Sequence, residues 1–407
     1  MTASQELIFP YDILSEIAEK LCDSKHALGA FALSCRILHS ASRRHIFRRI
    51  VLKDRTKLDE FLSLLKASPE IAPWVNELRF VVRDGQTVYA VSMTSTHWLF
   101  HAASSLPRIL PQLHVLEMHG LHLTQSPLGA VLADKFSSCT ALRKLSLSAG
   151  YFPKSFLSYM LCALPGISSL TLSSVALLCD SQVVALPEPR KVQLRFLECD
   201  EYDAVLNRII TTFSENTIRT LVVNKNGPTT TGELVPLLGS SLEHLVIVIR
   251  RRHWERPASP EGVVDLRRSS NIRQLEFRHC PMNLSTMLLQ LPCPELLQEL
   301  SFVLDSYDWK NVNEDDFKDL DDCITRHFPS VQRVQFTTVQ RDSQVVADGM
   351  AGKMLHQLLP AVAAEGILHV NIVTVQGHDE EQNAVAKVQL PQYSPPYQYG
   401  FPGMRYH

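Results

Sequence analysis

The stretch Leu142-Arg143-Lys144-Leu145-Ser146-Leu147 decides the fold of this chain, because its pattern recurs. Apolar residues at its fourth and sixth positions share one face of an extended strand, and the residue between them points to the other face. The next copy along the chain, Ile167-Ser168-Ser169-Leu170-Thr171-Leu172, repeats this arrangement. A recurring strand of this kind predicts an array of short units, each burying its apolar face against its neighbours.

Ten copies and one weaker copy of this string occur between Val75 and Ile372 when Ile, Val, Met and Phe are allowed in the apolar positions. Their central residues lie 24 to 38 residues apart, a spacing typical of leucine-rich repeats. Helical patterns fill the gaps, as from Ser155 to Leu161 and from Tyr202 to Phe213. The sequence therefore predicts an α/β fold, an irregular leucine-rich-repeat solenoid with parallel strands on its concave face and helices on its convex face. The central residues are 78, 116, 145, 170, 194 (the weaker copy), 221, 245, 275, 300, 334 and 370.

The residues between the apolar positions are predicted to face outward on the concave sheet, where a ligand would bind. This row is chemically mixed, which suits recognition of a protein surface better than of one small molecule. A solvated sheet face explains any single member equally well. The residues predicted to bind a protein substrate are Arg79, Glu117, His119, Arg195, Glu276 and Arg278.

Ahead of the repeats, residues 7 to 50 predict three short helices. Pro10 suits a first helical turn, and Ile13, Leu14, Ile17 and Leu21 then form one apolar stripe. Asp23-Ser24 offers a cap for a second helix, and a third runs from Ile37 to Phe47. Helices this short bury little surface, so the head is expected to lean on the body or on a partner.

The spacing of Phe9-Pro10, Asp12-Ile13-Leu14, Ile17, Leu21, Leu28, Leu33 and Cys35-Arg36 resembles the F-box, and ragged repeats after such a head resemble the F-box-like proteins of filamentous fungi. Phe9 stands where Leu is usual, and Ile37-Leu38 follow where an aromatic is common. The resemblance implies docking onto a Skp1-type adaptor of a cullin-RING ubiquitin ligase. The adaptor-binding residues that it implies are Phe9, Pro10, Ile13, Leu14, Ile17, Leu33 and Cys35.

Composition and motifs argue against catalysis and against a nucleic-acid or membrane partner. The formal charge is −2, and the apolar runs are too short to span a bilayer. His97 and His101 are one helical turn apart but lack a third metal ligand, and Gly349 to Met354 is too short for a phosphate loop. We expect no cofactor and no metal. The nine cysteines contain no CxxC pair and indicate reduced thiols, in the cytoplasm or the nucleus.

Charged runs are predicted to be solvated or salt-bridged. The basic runs are Arg43 to Arg49 and Arg250 to Trp254, and an acidic run from Glu314 to Asp322 reads as an exposed helix with a favourable negative N-terminus. The segment from Pro391 to His407 is predicted to be a flexible tail.

Together these features predict a helical head over residues 1–50, a repeat body over 51–390 and a tail over 391–407. The predicted function is that of a non-catalytic substrate receptor of a ubiquitin ligase. Two alternatives stay open: a repeat protein-interaction scaffold whose head is only a cap, and a nucleic-acid-binding or enzymatic role hidden in the basic runs or histidines.

Overall fold

A computed structural model describes residues 10–22, 24–82, 93–123, 126–178, 192–199, 217–225, 238, 241–249, 271–278, 285, 288–289, 296–305, 314–341 and 348–375. Phe9, His97, Asp23, the run 250–254 and the tail 391–407 lie outside these residues, at least for their side chains. The chain forms two compact units, Met1–Ile272 and Arg273–His407.

Three helices open the first unit, as the sequence predicts. They are α1 (Tyr11–Leu21), α2 (Lys25–Ser34) and α3 (Arg36–Ile46). The Pro10 carbonyl accepts the first helical bonds of α1, and the Ser24 side chain accepts a hydrogen bond of 3.2 Å from the Ala27 N–H at the start of α2. Cys35 is extended and separates α2 from α3. We call these three helices the helical head.

The rest of the first unit alternates strands and helices up to its fifth strand, and three further strands follow among the described residues. After β1 (Arg49–Leu52) come α4 (Arg55–Ala67) and a 3-10 helix, η1 (Pro69–Trp74). The following elements are β2 (Glu77–Val81), α5 (Met93–Ile109), β3 (Val115–His119), α6 (Ser126–Phe136), β4 (Lys144–Pro153), α7 (Lys154–Ala163), β5 (Ser169–Leu178), β6 (Phe196–Cys199), β7 (Thr220–Lys225) and β8 (His244–Ile249).

The second unit also contains strands and helices. Its described elements are β9 (Gln274–Arg278), β10 (Glu299–Asp305), α8 (Glu314–His327), β11 (Arg333–Arg341), α9 (Asp348–Leu358), α10 (Pro360–Ala364) and β12 (Leu368–Val375). In each unit every strand pairs in parallel with the next strand along the chain. The predicted α/β array of parallel repeats behind an N-terminal helical segment is confirmed.

One hydrogen-bond motif recurs at the entrance of the strands. The carbonyl of Arg143, just before β4, accepts hydrogen bonds from the N–H groups of Ser168 and Ser169 at 2.9 and 3.0 Å. The carbonyls of Arg48, Asn76, His114, Ser168, Arg195, Arg219, Arg273 and Gln298 each accept an equivalent pair. A shared acceptor at each of these nine steps fixes the register of the strands that it joins, because buried backbone donors must be satisfied.

The core lies on the face of the strands that the repeated apolar residues share. Leu78, Leu116 and Leu145 occupy one register row and are fully buried. In the second unit Phe277, Phe302 and Phe336 stack in the next row, with ring centroids 5.8 and 4.8 Å apart. Burying a side chain of this size contributes about 1.5–3 kcal/mol, so each repeat depends on its neighbours for its core.

Two repeat copies are placed differently from the prediction. Leu197, and not Leu194, pairs with Leu170, so the weaker copy is displaced by three residues; Leu368, and not Val370, pairs with Val334. The strand β1 was not predicted at all, although Ile50 and Leu52 align with Leu78 and Phe80. Its string is short and overlaps the basic run that ends at Arg49, so the local sequence does not stand out as a repeat.

The acidic helix α8 carries a further difference from the prediction. It begins with three acidic residues as predicted, but Asp321 is buried. Its two carboxylate oxygens accept hydrogen bonds of 2.9 Å from the N–H groups of Ala361 and Val362. Asp321 therefore caps the start of α10 and joins two helices of the last repeat.

Candidate docking surfaces

The helical head exposes much of its apolar surface. Leu33, at the end of α2, is 86% exposed, and Ile13 and Ile17 lie one turn apart on the outer side of α1. Twelve large apolar side chains are exposed among the described residues, and six of them belong to the head, which has the size of a single repeat. They are Tyr11, Ile13, Ile17, Leu33, Ile37 and Ile46. We call these six residues the head patch.

The opposite side of the head is packed inward. Leu14 and Ala18 of α1 are buried together with Leu28 and Ala41 of the other two helices. The apolar stripe predicted for α1 therefore divides, with Leu14 in the core of the head and Ile13 and Ile17 on its surface. Large exposed apolar side chains are thus denser on the head than on the rest of the described residues, and exposed apolar surface is typical of sites that bind a partner.

The head is attached to the first repeat through Arg43. Its guanidinium group lies 3.3 Å from Glu70 Oε1 and 5.4 Å from the centre of the Trp74 ring. Both partners belong to η1. These contacts hold α3 against η1. The six residues of the head patch remain exposed.

The residues predicted to bind an adaptor fall into three groups. Pro10, Ile13, Ile17, Leu33 and Cys35 are exposed. Leu14 is buried and supports the surface from inside. Phe9 lies outside the described residues. None of these placements tests binding itself, which stays a prediction.

The strand face opposite the helices is here called the outer sheet face. Over β1 to β4 it carries half-exposed polar groups. Glu117 Oε2 lies 3.0 Å from Arg49 Nη2 and 3.6 Å from Arg79 Nε, and Glu77 lies 3.7 Å from Arg49. His119 Nδ1 lies 2.9 Å from Ser148 Oγ. This part of the outer sheet face holds a charged network that solvent reaches.

Further along, the outer sheet face becomes apolar and closed. Val222, Val246 and Val248 are buried, and Phe196 packs against them. Val222 and Val246 occupy the same register row as Thr171 and Glu198. The face therefore changes from open and charged to closed and apolar within the first unit.

In the second unit the predicted substrate residues Glu276 and Arg278 are buried, not exposed. Arg278 Nε lies 2.7 Å from Glu276 Oε1. The Arg278 side chain is only 5% exposed and the Glu276 side chain only 8% exposed. The expectation that both face solvent is therefore not met, because burial here is stabilised by an opposite charge on the same strand.

The predicted residue Arg195 is exposed but does not belong to the outer row. It precedes β6, and its carbonyl accepts hydrogen bonds at a strand entrance. The displaced register places Phe196 and Glu198 on the outer sheet face instead. Arg49 and Glu77 were also missed, although Arg49 belongs to a string whose alternation resembles the other copies.

The basic run at the end of the head is engaged in contacts. Arg43 pairs with Glu70, Arg44 donates a hydrogen bond to Ser15, Arg48 lies 3.8 Å from Glu77, and Arg49 binds Glu117. These pairs fit the salt-bridged interpretation of the run. A nucleic-acid site would need cations directed at phosphates.

No cluster of three His, Cys, Asp or Glu side chains in the described part of the chain could hold a metal ion, and no described helix has the length and apolarity to cross a bilayer. The six described cysteines form no disulfide bond with one another. Burial raises the pKa of Cys139 and Cys323 to about 11, which keeps both thiols protonated and unreactive.

No family model and no curated protein matches this chain. Among solved structures, it is similar to the complex of Rad7 and Elc1 in yeast, at 13% identity and a TM-score of 0.34 over 80% of this chain and 88% of that chain. It is also similar to a TLR13–ssRNA13 complex, at 11% identity and a TM-score of 0.32 over 82% of this chain and 37% of that chain. Resemblance at this level says nothing about function.

Proposed function

We propose that this protein is a non-catalytic substrate receptor of a Skp1-cullin-F-box type ubiquitin ligase. The head patch carries the proposal: half of the exposed large apolar side chains of the described residues lie on three short helices. In this proposal the head docks on a Skp1-type adaptor, and the repeat body holds a protein substrate.

The chemistry of the head patch suits a protein partner. Covering a fully exposed leucine contributes about 1.5–3 kcal/mol, so Leu33 with Ile13 and Ile17 would supply several kcal/mol. Arg43 keeps these helices oriented through Glu70 and Trp74, which lowers the ordering cost of binding. The substrate is proposed to bind the open part of the outer sheet face, around Arg79, Glu117 and His119.

Point variants test the docking step with the full chain. Leu33→Asp places a charge where the leucine is 86% exposed, so the fold should be retained while binding to a purified Skp1-type adaptor is lost. Val131→Asp is the matched control, because Val131 is an exposed apolar residue on α6, outside the head. Co-purification should fail for Leu33→Asp and persist for Val131→Asp. Absent binding by the wild type, or equal binding by both variants, would refute the proposal.

The alternative is a repeat scaffold in which the head is a cap. The packing of Arg43 on η1 also fits this alternative, because a capping head would need the same contacts with the first repeat. In that case Leu33→Asp leaves every interaction of the body unchanged, and no Skp1-type adaptor binds. Deleting residues 1–50 would be a poor test, because it uncovers the first repeat of the body.

A further inference from the structure

Among the described residues, β12 is the last strand, and no described strand pairs with its outer edge. It has eight residues, Leu368-His369-Val370-Asn371-Ile372-Val373-Thr374-Val375, with no Lys, Arg, Asp, Glu, Gly or Pro. Among the described residues it pairs with β11 alone. Edge strands are usually shortened or charged, since their free backbone groups recruit other strands. The strand β1 follows that rule, with four residues that begin at Arg49.

The register identifies the backbone groups of β12 that no described strand engages. The N–H of Val334, which pairs with Leu368, donates to the carbonyl of Ile367 at 2.8 Å. In a parallel ladder, alternate residues direct both backbone groups to the same neighbour. Odd-numbered residues of β12 therefore face β11, and Leu368, Val370 and Ile372 direct their N–H and C=O groups outward, away from β11.

The apolar face of β12 is also incompletely covered. On β11, Val334, Phe336 and Thr338 are buried. Their register partners Leu368, Val370 and Ile372 are each half-buried. Among the described residues, β12 thus leaves both hydrogen-bonding groups and apolar surface open at one edge.

We propose that this edge binds β12 of a second copy of this chain. A two-fold axis perpendicular to the sheet makes the two strands antiparallel and keeps both helix layers on the same side. One geometry then satisfies the outward backbone groups of both copies and covers both sets of Leu368, Val370 and Ile372. Because β12 carries no carboxylate, lysine or arginine, the like-charge repulsion that usually opposes self-pairing is absent.

Introducing charges on β12 tests this dimer in the full chain. His369 and Asn371 are exposed on the outer side of β12, so paired substitutions there should leave the fold intact. We expect the wild type to shift from monomer to dimer with concentration in analytical ultracentrifugation. His369→Glu/Asn371→Glu and His369→Lys/Asn371→Lys should each remain monomeric, and their equimolar mixture should form a heterodimer.

A matched control places two glutamates one strand away from the edge. Gln332→Glu/Arg333→Glu alters exposed residues at the start of β11 and should dimerise like the wild type. A wild type that stays monomeric would overturn the proposal, including the case in which this edge binds another protein or is covered within the same chain. A dimer that survives both charged β12 variants, or that the mixture fails to restore, would overturn it as well.

Discussion

Two places on the outer sheet face combine arginine with glutamate, yet they differ in accessibility. Between β2 and β3, Arg79 and Glu117 are 3.6 Å apart and 35% and 21% exposed. On β9, Arg278 and Glu276 are 2.7 Å apart and almost completely buried. The difference teaches that strand alternation determines which face a side chain occupies but not whether that face is open to a ligand.

The largest expected effect concerns the buried pair. Arg278→Met should lower the free energy of unfolding by about 3–5 kcal/mol, because it leaves the Glu276 carboxylate buried without this partner. Glu276→Leu/Arg278→Met should recover most of that loss. Urea denaturation of both variants measures the difference. A loss below about 1 kcal/mol for the single variant would mean that the pair is accessible to water.

A smaller effect is expected at the apolar part of the face. Val222→Thr keeps the side-chain shape but buries a hydroxyl group, which should cost about 1–2 kcal/mol. Ser146→Val replaces a hydroxyl group with methyl groups in the same register row, where the face is half-exposed, and should change the free energy of unfolding very little. Equal effects in denaturant titrations of the two variants would contradict a face that closes along the array.

The open pair should contribute little to stability. Arg79→Ala should change the free energy of unfolding by less than about 1 kcal/mol, since Glu117 keeps Arg49 and solvent screens the pair. Added salt should reduce the effect further. A large, salt-independent loss would show that Arg79 is a structural residue and not an accessible part of the proposed binding surface.

The smallest effect belongs to the head and depends on pH. Burial, with Arg44 and Arg48 nearby and Glu19 opposing, lowers the pKa of His45 from its usual 6.5. The folded head therefore favours neutral His45, so this contribution to stability is full above pH 6.5 and is lost as the pH falls below it. His45→Gln should flatten that pH dependence in thermal melts. An unchanged slope would exclude His45 as its source.

The general fold was predictable because its signal is repeated. Ten spaced strings and a capped helical head define strands and helices with no need for long-range information. The register was harder, since Leu194 and Leu197 both satisfy an apolar pattern and only the pairing with Leu170 distinguishes them. Burial of Glu276 and Arg278 and the capping by Asp321 depend on contacts distant in sequence, which no local pattern reports.

Site-resolved alkylation of Cys35 with and without a Skp1-type adaptor tests the central claim most directly. Cys35 is an exposed free thiol between α2 and α3, two residues from Leu33. Our account predicts that Cys35 reacts readily in the free protein and that its rate falls in proportion to the fraction bound, while the buried Cys139 stays unreactive throughout. An adaptor that does not bind, or that binds without slowing the reaction of Cys35, would contradict docking through the head patch.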